Sequence, residues 1–134
     1  MFKDYVLSRH SVTKLQIHLI FTTKYRRRVM TPEVLESVLA TLRTAAADLG
    51  CTLLEADGEP DHVHLLVSYP PKVSISEMVN RFKTRSSRKI REEYPGILDG
   101  GRTGLFWARN YFACTVGSAG REVFEKYMEK QTTD

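Results

Sequence analysis

Cysteine is scarce in this 134-residue chain: only Cys51 and Cys114 occur, far apart and with no Cys-x-x-Cys spacing. That argues against a zinc ribbon or a disulfide framework, and both thiols are expected to pack as small apolar groups in strands. Long apolar runs are missing too. No stretch reaches membrane-spanning length, and Met1 to His10 lacks the apolar core of a secretory signal, so the sequence predicts a cytoplasmic protein with no membrane partner. A glycine-rich phosphate loop followed by lysine is absent, as are internal repeats and low-complexity tracts. The composition that remains, 42% hydrophobic and 27% charged, is ordinary globular usage and predicts one domain over residues 1–134. So short a chain makes a modest core, which dimerisation would enlarge.

Positive charge is present in excess, but in two places. The net charge is +4, yet Lys24 to Arg28 carries four cations and no anion, and residues 72–92 carry seven cations against Glu77 and Glu92. The rest of the chain is therefore net acidic. Arg81, Arg85, Arg88 and Lys89 fall at i, i+4, i+7 and i+8, one stripe of a helix, which suits a phosphate backbone because each neutralised phosphate releases counterions. A solvated helix face is the plain alternative. With Arg26, Arg27 and Arg28, these residues are the candidate DNA-backbone contacts.

Hydrophobic periodicity orders the chain as βαββαβα. Lys14 to Thr23 alternates like a half-buried strand. Thr31 reads as an N-cap, Pro32 as the first helical residue, and Leu35, Val38, Leu39, Leu42, Ala46 and Leu49 as an apolar face stopped at Gly50. Cys51 to Ala56 is expected as a second strand, Asp57, Gly58 and Pro60 as a turn, and His62 to Tyr69 as a third strand completing a hairpin. Ser74 caps a second helix with Ile75, Met78, Val79, Phe82 and Ile90 inward, and a glycine-rich connection runs from Tyr94 to Gly104. A fourth strand at about 106–116 and a last helix at about 118–131 follow, with residues 1–12 as an N-terminal segment. This order fits a ferredoxin-like (RRM-like) α+β sandwich, a four-stranded antiparallel sheet with helices on one face and an extra C-terminal helix.

Chemistry concentrates at His62-Val63-His64 and at the end of the chain. On a strand, period-two alternation points both imidazoles to one face, which is half of a site for a divalent ion. Tyr127 and Gln131, four residues apart on a helix, share a face, so Gln131 offers a carbonyl oxygen and Tyr127 a phenolic nucleophile. Metal-assisted phosphoryl transfer through tyrosine is the chemistry these four suggest. Each also has an ordinary reading: the histidines as a surface pair, Tyr127 as a core residue beside Val123, Phe124 and Met128, Gln131 as a solvated terminus. His10, His18 and Asp61 read first as structural, and Trp107 and Tyr111 as core aromatics before base-stacking ones.

His62-Val63-His64, Trp107 and Tyr111 ahead of Thr115-Val116-Gly117, Tyr127-Met128-Glu129-Lys130-Gln131, and Lys24-Tyr25-Arg26 after the first strand together resemble the single-tyrosine HUH transposases of the IS-two-hundred and IS-six-hundred-and-five type, whose superfamily includes REP-associated tyrosine transposases. The resemblance covers roughly residues 12–131. It implies an enzyme that cuts and rejoins single-stranded DNA at insertion-sequence ends, recognises subterminal hairpins and works as a homodimer in which the tyrosine helix completes the partner's site. It further implies Mg²⁺ or Mn²⁺ held by His62, His64 and Gln131, a 5′-phosphotyrosine adduct on Tyr127, and a free 3′-OH. Gly117 and Gly120 stand where a hinge for that helix is expected. The alternatives are a non-catalytic binder of structured nucleic acid and a host-adapted relative that processes repeated palindromes.

Overall fold

The computed structural model describes residues 5–98, 104–115 and 128–129. A short antiparallel hairpin, β1 (Val6–Leu7) with β2 (Val12–Thr13), precedes the main body. There β3 (Gln16–Thr22), α1 (Pro32–Asp48), β4 (Thr52–Glu59), β5 (His62–Ser68), α2 (Ile75–Glu93) and β6 (Phe112–Thr115) follow in turn. The sheet runs β4-β5-β3-β6 with every neighbouring pair antiparallel, the ferredoxin-like order expected from the pattern. Among the described residues no helix is long and apolar enough to cross a membrane.

Both helices start as the sequence predicts. The Thr31 hydroxyl accepts from the Val34 amide at 3.3 Å and the Ser74 hydroxyl from the Glu77 amide at 3.1 Å, each satisfying an otherwise orphaned donor. Gly50 at φ 77° closes α1, in the left-handed conformation that glycine adopts without a Cβ penalty. Alternation then decides which sheet face the helices cover. Ile17, Leu19 and Phe21 of β3 and Val63, Leu65 and Val67 of β5 join Val38 and Leu42 of α1 and Met78 and Phe82 of α2 in one core. Each fully buried phenylalanine, Phe21 and Phe82 among them, stabilises the fold by about 1.5–3 kcal/mol through area burial. By the same alternation His18, Ile20, Thr22, His62, His64 and Leu66 occupy the opposite face.

Two boundaries differ from expectation. Strand β4 runs on through Asp57 and Gly58 to Glu59, and the turn is Pro60-Asp61. Gly58 is a close-approach glycine rather than a turn glycine: a Cβ there would meet the His62 carbonyl oxygen at 2.5 Å and Leu35 Cδ1 at 3.0 Å. The fourth strand is also shorter than the 106–116 stretch. Phe106, Trp107 and Ala108 are buried, but Trp107 pairs with the sheet through an isolated bridge to Thr23, packs edge-on against Phe21, and its indole Nε1 donates to Ser86 Oγ of α2 at 2.9 Å. Lys83 Nζ donates to the carbonyls of Ala108, Arg109 and Asn110 at 2.7, 3.2 and 2.9 Å and the Ala108 amide donates to the Thr22 carbonyl at 2.8 Å, so helix contacts and isolated backbone bonds, rather than a continuous ladder, fix this approach to β6. Cys51 is buried just before β4, and Cys114 is half-buried in β6. The expected last helix lies outside the described residues except for Met128 and Glu129, which are helical.

Candidate active site and nucleic-acid surface

Strand β5 carries His62 and His64 on the sheet face opposite α1 and α2, both half-buried. Asp61, in the turn before them, orients the first. His62 donates its Nδ1–H to Asp61 Oδ1 at 2.9 Å, and since an ionised carboxylate only accepts, this fixes the tautomer that leaves the His62 Nε2 lone pair for a ligand. Burial pushes the Asp61 carboxyl up, but its bonds to His62 and Arg26 outweigh that and hold it below the usual carboxylate range. Asp61 thus acts on the site through His62.

His18 reaches the same place from β3. Its Nδ1 lies 3.0 Å from His64 Nε2, with ring centroids 5.1 Å apart and planes 14° from parallel. The strand register pairs Ile20 with His64, which sets His18 diagonally across on the same face. His64 Nδ1 stands 3.8 Å from Asp57 Oδ1. Burial, reinforced by the neighbouring His18, lowers the His64 pKa, so the ring is neutral at neutral pH, the form that ligates a cation. Two imidazoles on one face of a strand, His62 oriented by Asp61 and His64 neutral, suit a divalent ion that takes further ligands. Among the described residues no set of three His, Cys, Asp or Glu side chains is placed to hold a metal. Tyr127, Gln131, Gly117 and Gly120 lie outside the described residues.

The loop after β3 closes on this site in an uncommon conformation. Tyr25 (φ 61°, ψ 16°) and Arg26 (φ 51°) are consecutive non-glycine residues in the left-handed region, a cost of order 1–3 kcal/mol each. Arg26 Nε and Nη2 donate to Asp61 Oδ2 at 2.9 and 2.7 Å, and Nη1 donates to the Met128 carbonyl at 2.9 Å. Arg26 is therefore engaged inside the protein, in contrast to the expected backbone-phosphate contact. Arg27 donates to the carbonyls of Lys24 and Leu105 at 3.1 Å each, while Arg28 is exposed.

The basic stripe on α2 lies away from the core, as its spacing predicts, but its members have different neighbours. Arg85 pairs with Asp48 of α1 at 2.7 Å and Lys89 stands 3.7 Å from Glu93, whereas Arg81 and Arg88 are exposed. Arg88 lines a cleft of about 680 Å³ with Lys83, Arg91, Arg109, Leu105 and Trp107. Arg91 Nε is buried there with no hydrogen-bond partner among the described residues. Lys83, Arg91 and Arg109 belong to this surface although the stripe did not include them, because the cleft is formed between α2 and a segment about twenty residues later. Trp107 takes the core reading, while Tyr111 is partly exposed at its edge.

Comparison with known proteins bears directly on this arrangement. The family described as "Transposase IS200 like" matches residues 11–131. The ISDra2 transposase TnpA of Deinococcus radiodurans is 35% identical over 123 residues, covering 92% of this chain and 88% of the relative. The transposase for insertion sequence element IS200 of Salmonella typhimurium is 30% identical over 122 residues, covering 91% and 80%. A crystal structure of a candidate transposase from Deinococcus radiodurans R1 superposes with a TM-score of 0.86 at 32% identity over 94% of this chain and 97% of that one. A REP-associated tyrosine transposase bound to a REP hairpin shares the fold at a TM-score of 0.59 and 10% identity, over 91% and 67% of the two chains.

Proposed function

Because the chain belongs to the IS200-like transposase family, we propose that it cuts and rejoins single-stranded DNA at hairpin-bearing ends of an insertion sequence, with Tyr127 as nucleophile. The observation that carries this reading is the pair of imidazoles on the sheet face opposite α1 and α2: His62 held by Asp61, and His64 kept neutral by burial and His18. Two imidazole ligands on one face are what a cation-assisted attack on phosphate needs. The structure of a REP-associated relative with a hairpin makes a folded-back DNA strand the natural ligand to test.

A phosphodiester resists nucleophiles because its oxygens are anionic. His62, His64 and Gln131 would hold a Mg²⁺ or Mn²⁺ ion, which when bound would supply charge that offsets this and polarises the scissile phosphate. The Tyr127 oxygen forms a bond to phosphorus, loses its proton to solvent, and the bond from phosphorus to the 3′ oxygen breaks; that oxygen takes a proton and leaves as a 3′-OH. Near neutral pH a phenol of pKa about 10 is mostly protonated, so deprotonation beside positive charge is part of the barrier the site lowers. The resulting 5′-phosphotyrosine keeps the ester, and a 3′-OH from another strand attacks it and frees the tyrosine without nucleotide hydrolysis. Cutting two ends with one tyrosine per chain calls for a homodimer. The cleft beside Arg88, with Arg28 and Arg81 at the surface, is assigned to the DNA backbone; Arg85 and Lys89 join it where phosphate displaces Asp48 or Glu93.

The test incubates the protein with a hairpin-bearing single-stranded oligonucleotide and Mg²⁺ or Mn²⁺ and resolves the products on a denaturing gel. A protein-DNA adduct is expected from wild type, and none from Tyr127→Phe or after chelation. An equal adduct from Tyr127→Phe would reject the nucleophile; hairpin binding without any adduct would favour the non-catalytic reading.

A further inference from the structure

We propose that Arg26 is a positioning residue: its guanidinium latches the segment that follows the nucleophile to the histidine-bearing end of β5. The proposal rests on the reading of Tyr127 as nucleophile. Its geometry is a chain of direct bonds. His62 Nδ1 donates to one oxygen of Asp61 at 2.9 Å, the other oxygen of Asp61 accepts from Arg26 Nε and Nη2 at 2.9 and 2.7 Å, and Arg26 Nη1 donates to the Met128 carbonyl at 2.9 Å. Met128 follows Tyr127 directly in the sequence.

Three features separate this from an incidental surface contact. Asp61 is buried, and Arg26 is about one-fifth exposed, so the bonds form where water competes poorly. The guanidinium uses two edges at once, the Nε/Nη2 edge for a carboxylate and Nη1 for a carbonyl, which an ammonium on a flexible stem cannot reproduce. The backbone also adopts two successive left-handed residues to present this side chain, in a loop otherwise tied down by Thr23 N to Asp61 O at 2.9 Å and Lys24 N to Phe106 O at 2.9 Å. Arg26 thus differs in role from Arg28, two residues on in the same basic run and exposed.

The experiment uses the full chain without metal. Hydrogen exchange of the peptide containing Met128 and Glu129 is compared in wild type, Arg26→Lys, Arg26→Gln, Asp61→Asn and Arg28→Gln, with the fluorescence of Trp107 confirming the fold. Exchange is expected to quicken about fivefold or more in the Lys, Gln and Asn variants and not in Arg28→Gln. With DNA and metal, single-turnover adduct formation in Arg26→Lys should slow about tenfold while hairpin Kd and its salt slope stay within about twofold of wild type. Unchanged exchange in Arg26→Lys and Arg26→Gln overturns the latch. So does a loss of hairpin affinity in Arg26→Lys with a shallower salt slope and normal exchange, which would make Arg26 a phosphate contact. If Arg26→Gln does not fold, Arg26→Lys and Asp61→Asn decide alone. Because exchange needs no chemistry, the latch stands or falls even if Tyr127→Phe shows the nucleophile to be another residue.

Discussion

The histidine end of the sheet and the basic cleft beside α2 are both polar, yet they are built in opposite ways. At the first, His18, His62, Asp61 and Arg26 each have a bonded partner at 2.7–3.0 Å and sit on or beside strands. At the second, Arg88 and Arg109 are exposed on a helix and a loop, and the buried Arg91 Nε has no hydrogen-bond partner among the described residues. The difference matches what the proposed chemistry and the proposed recognition would separately require. Bond-making groups have to be held to fractions of an ångström by their neighbours, whereas groups that follow a phosphate backbone gain from reach.

Substitutions at the two regions should therefore fail differently. The largest effect is expected from His64→Ala, which should cut metal-dependent adduct formation by more than about 100-fold, beyond the range of outer partners, with hairpin binding retained in a gel-shift assay. Next, Asp61→Asn keeps the shape but loses the charge that orients His62 and anchors Arg26; titration of Mn²⁺ should show affinity weaker by about 10–100-fold. Equal Mn²⁺ affinity would mean that His62 does not depend on this carboxylate. The cleft has one rigid wall, and Ser86→Ala tests it: the buried Trp107 indole N–H loses its acceptor, so urea unfolding should show a loss of about 1–3 kcal/mol. Arg88→Ala, at the rim, should weaken hairpin binding modestly and reduce the slope of log K against log salt by about one unit, with stability unchanged. A large loss of stability there would erase the contrast between the regions.

The smallest effect is on pH. His64 must be neutral to ligate, and its pKa is lowered from the ordinary 6.5 by burial and by His18. Protonation of the folded protein therefore begins at lower pH than for a free imidazole. Mn²⁺ affinity should persist as pH falls to 6.5 and decline only below it, and a loss of affinity that begins above 6.5 would count against His64 as ligand.

What was legible in the sequence is what is local. The Thr31 and Ser74 caps, the inward faces of both helices and the shared face of His62 and His64 follow from neighbours within a few residues. The strand order followed because βαββαβ with these lengths admits few sheets. Non-local geometry was not legible. Gly58 reads as a turn until Leu35 and the His62 carbonyl press against it, and nothing near His18 announces His64, 46 residues on. Asp61 was adjacent to His62 in sequence, but its burial and its bond to Arg26 belong to the packed fold. The internal bonds of Arg26 were hidden for the same reason: a run of three arginines looks uniform in sequence, and the left-handed turn at Tyr25 and Arg26 separates one from the others.

Lys83 brings a consequence of a different kind. An ammonium projects its three hydrogens like the legs of a tripod, and here three successive carbonyls, those of Ala108, Arg109 and Asn110, receive them much as a crown ether receives an alkylammonium ion. A flat guanidinium has no such convergent geometry. Position 83 should thus discriminate between the two basic side chains more sharply than any exposed site on the same helix, and lysine acetylation there, by removing two of the three hydrogens, would unfasten the chain leading into the edge strand.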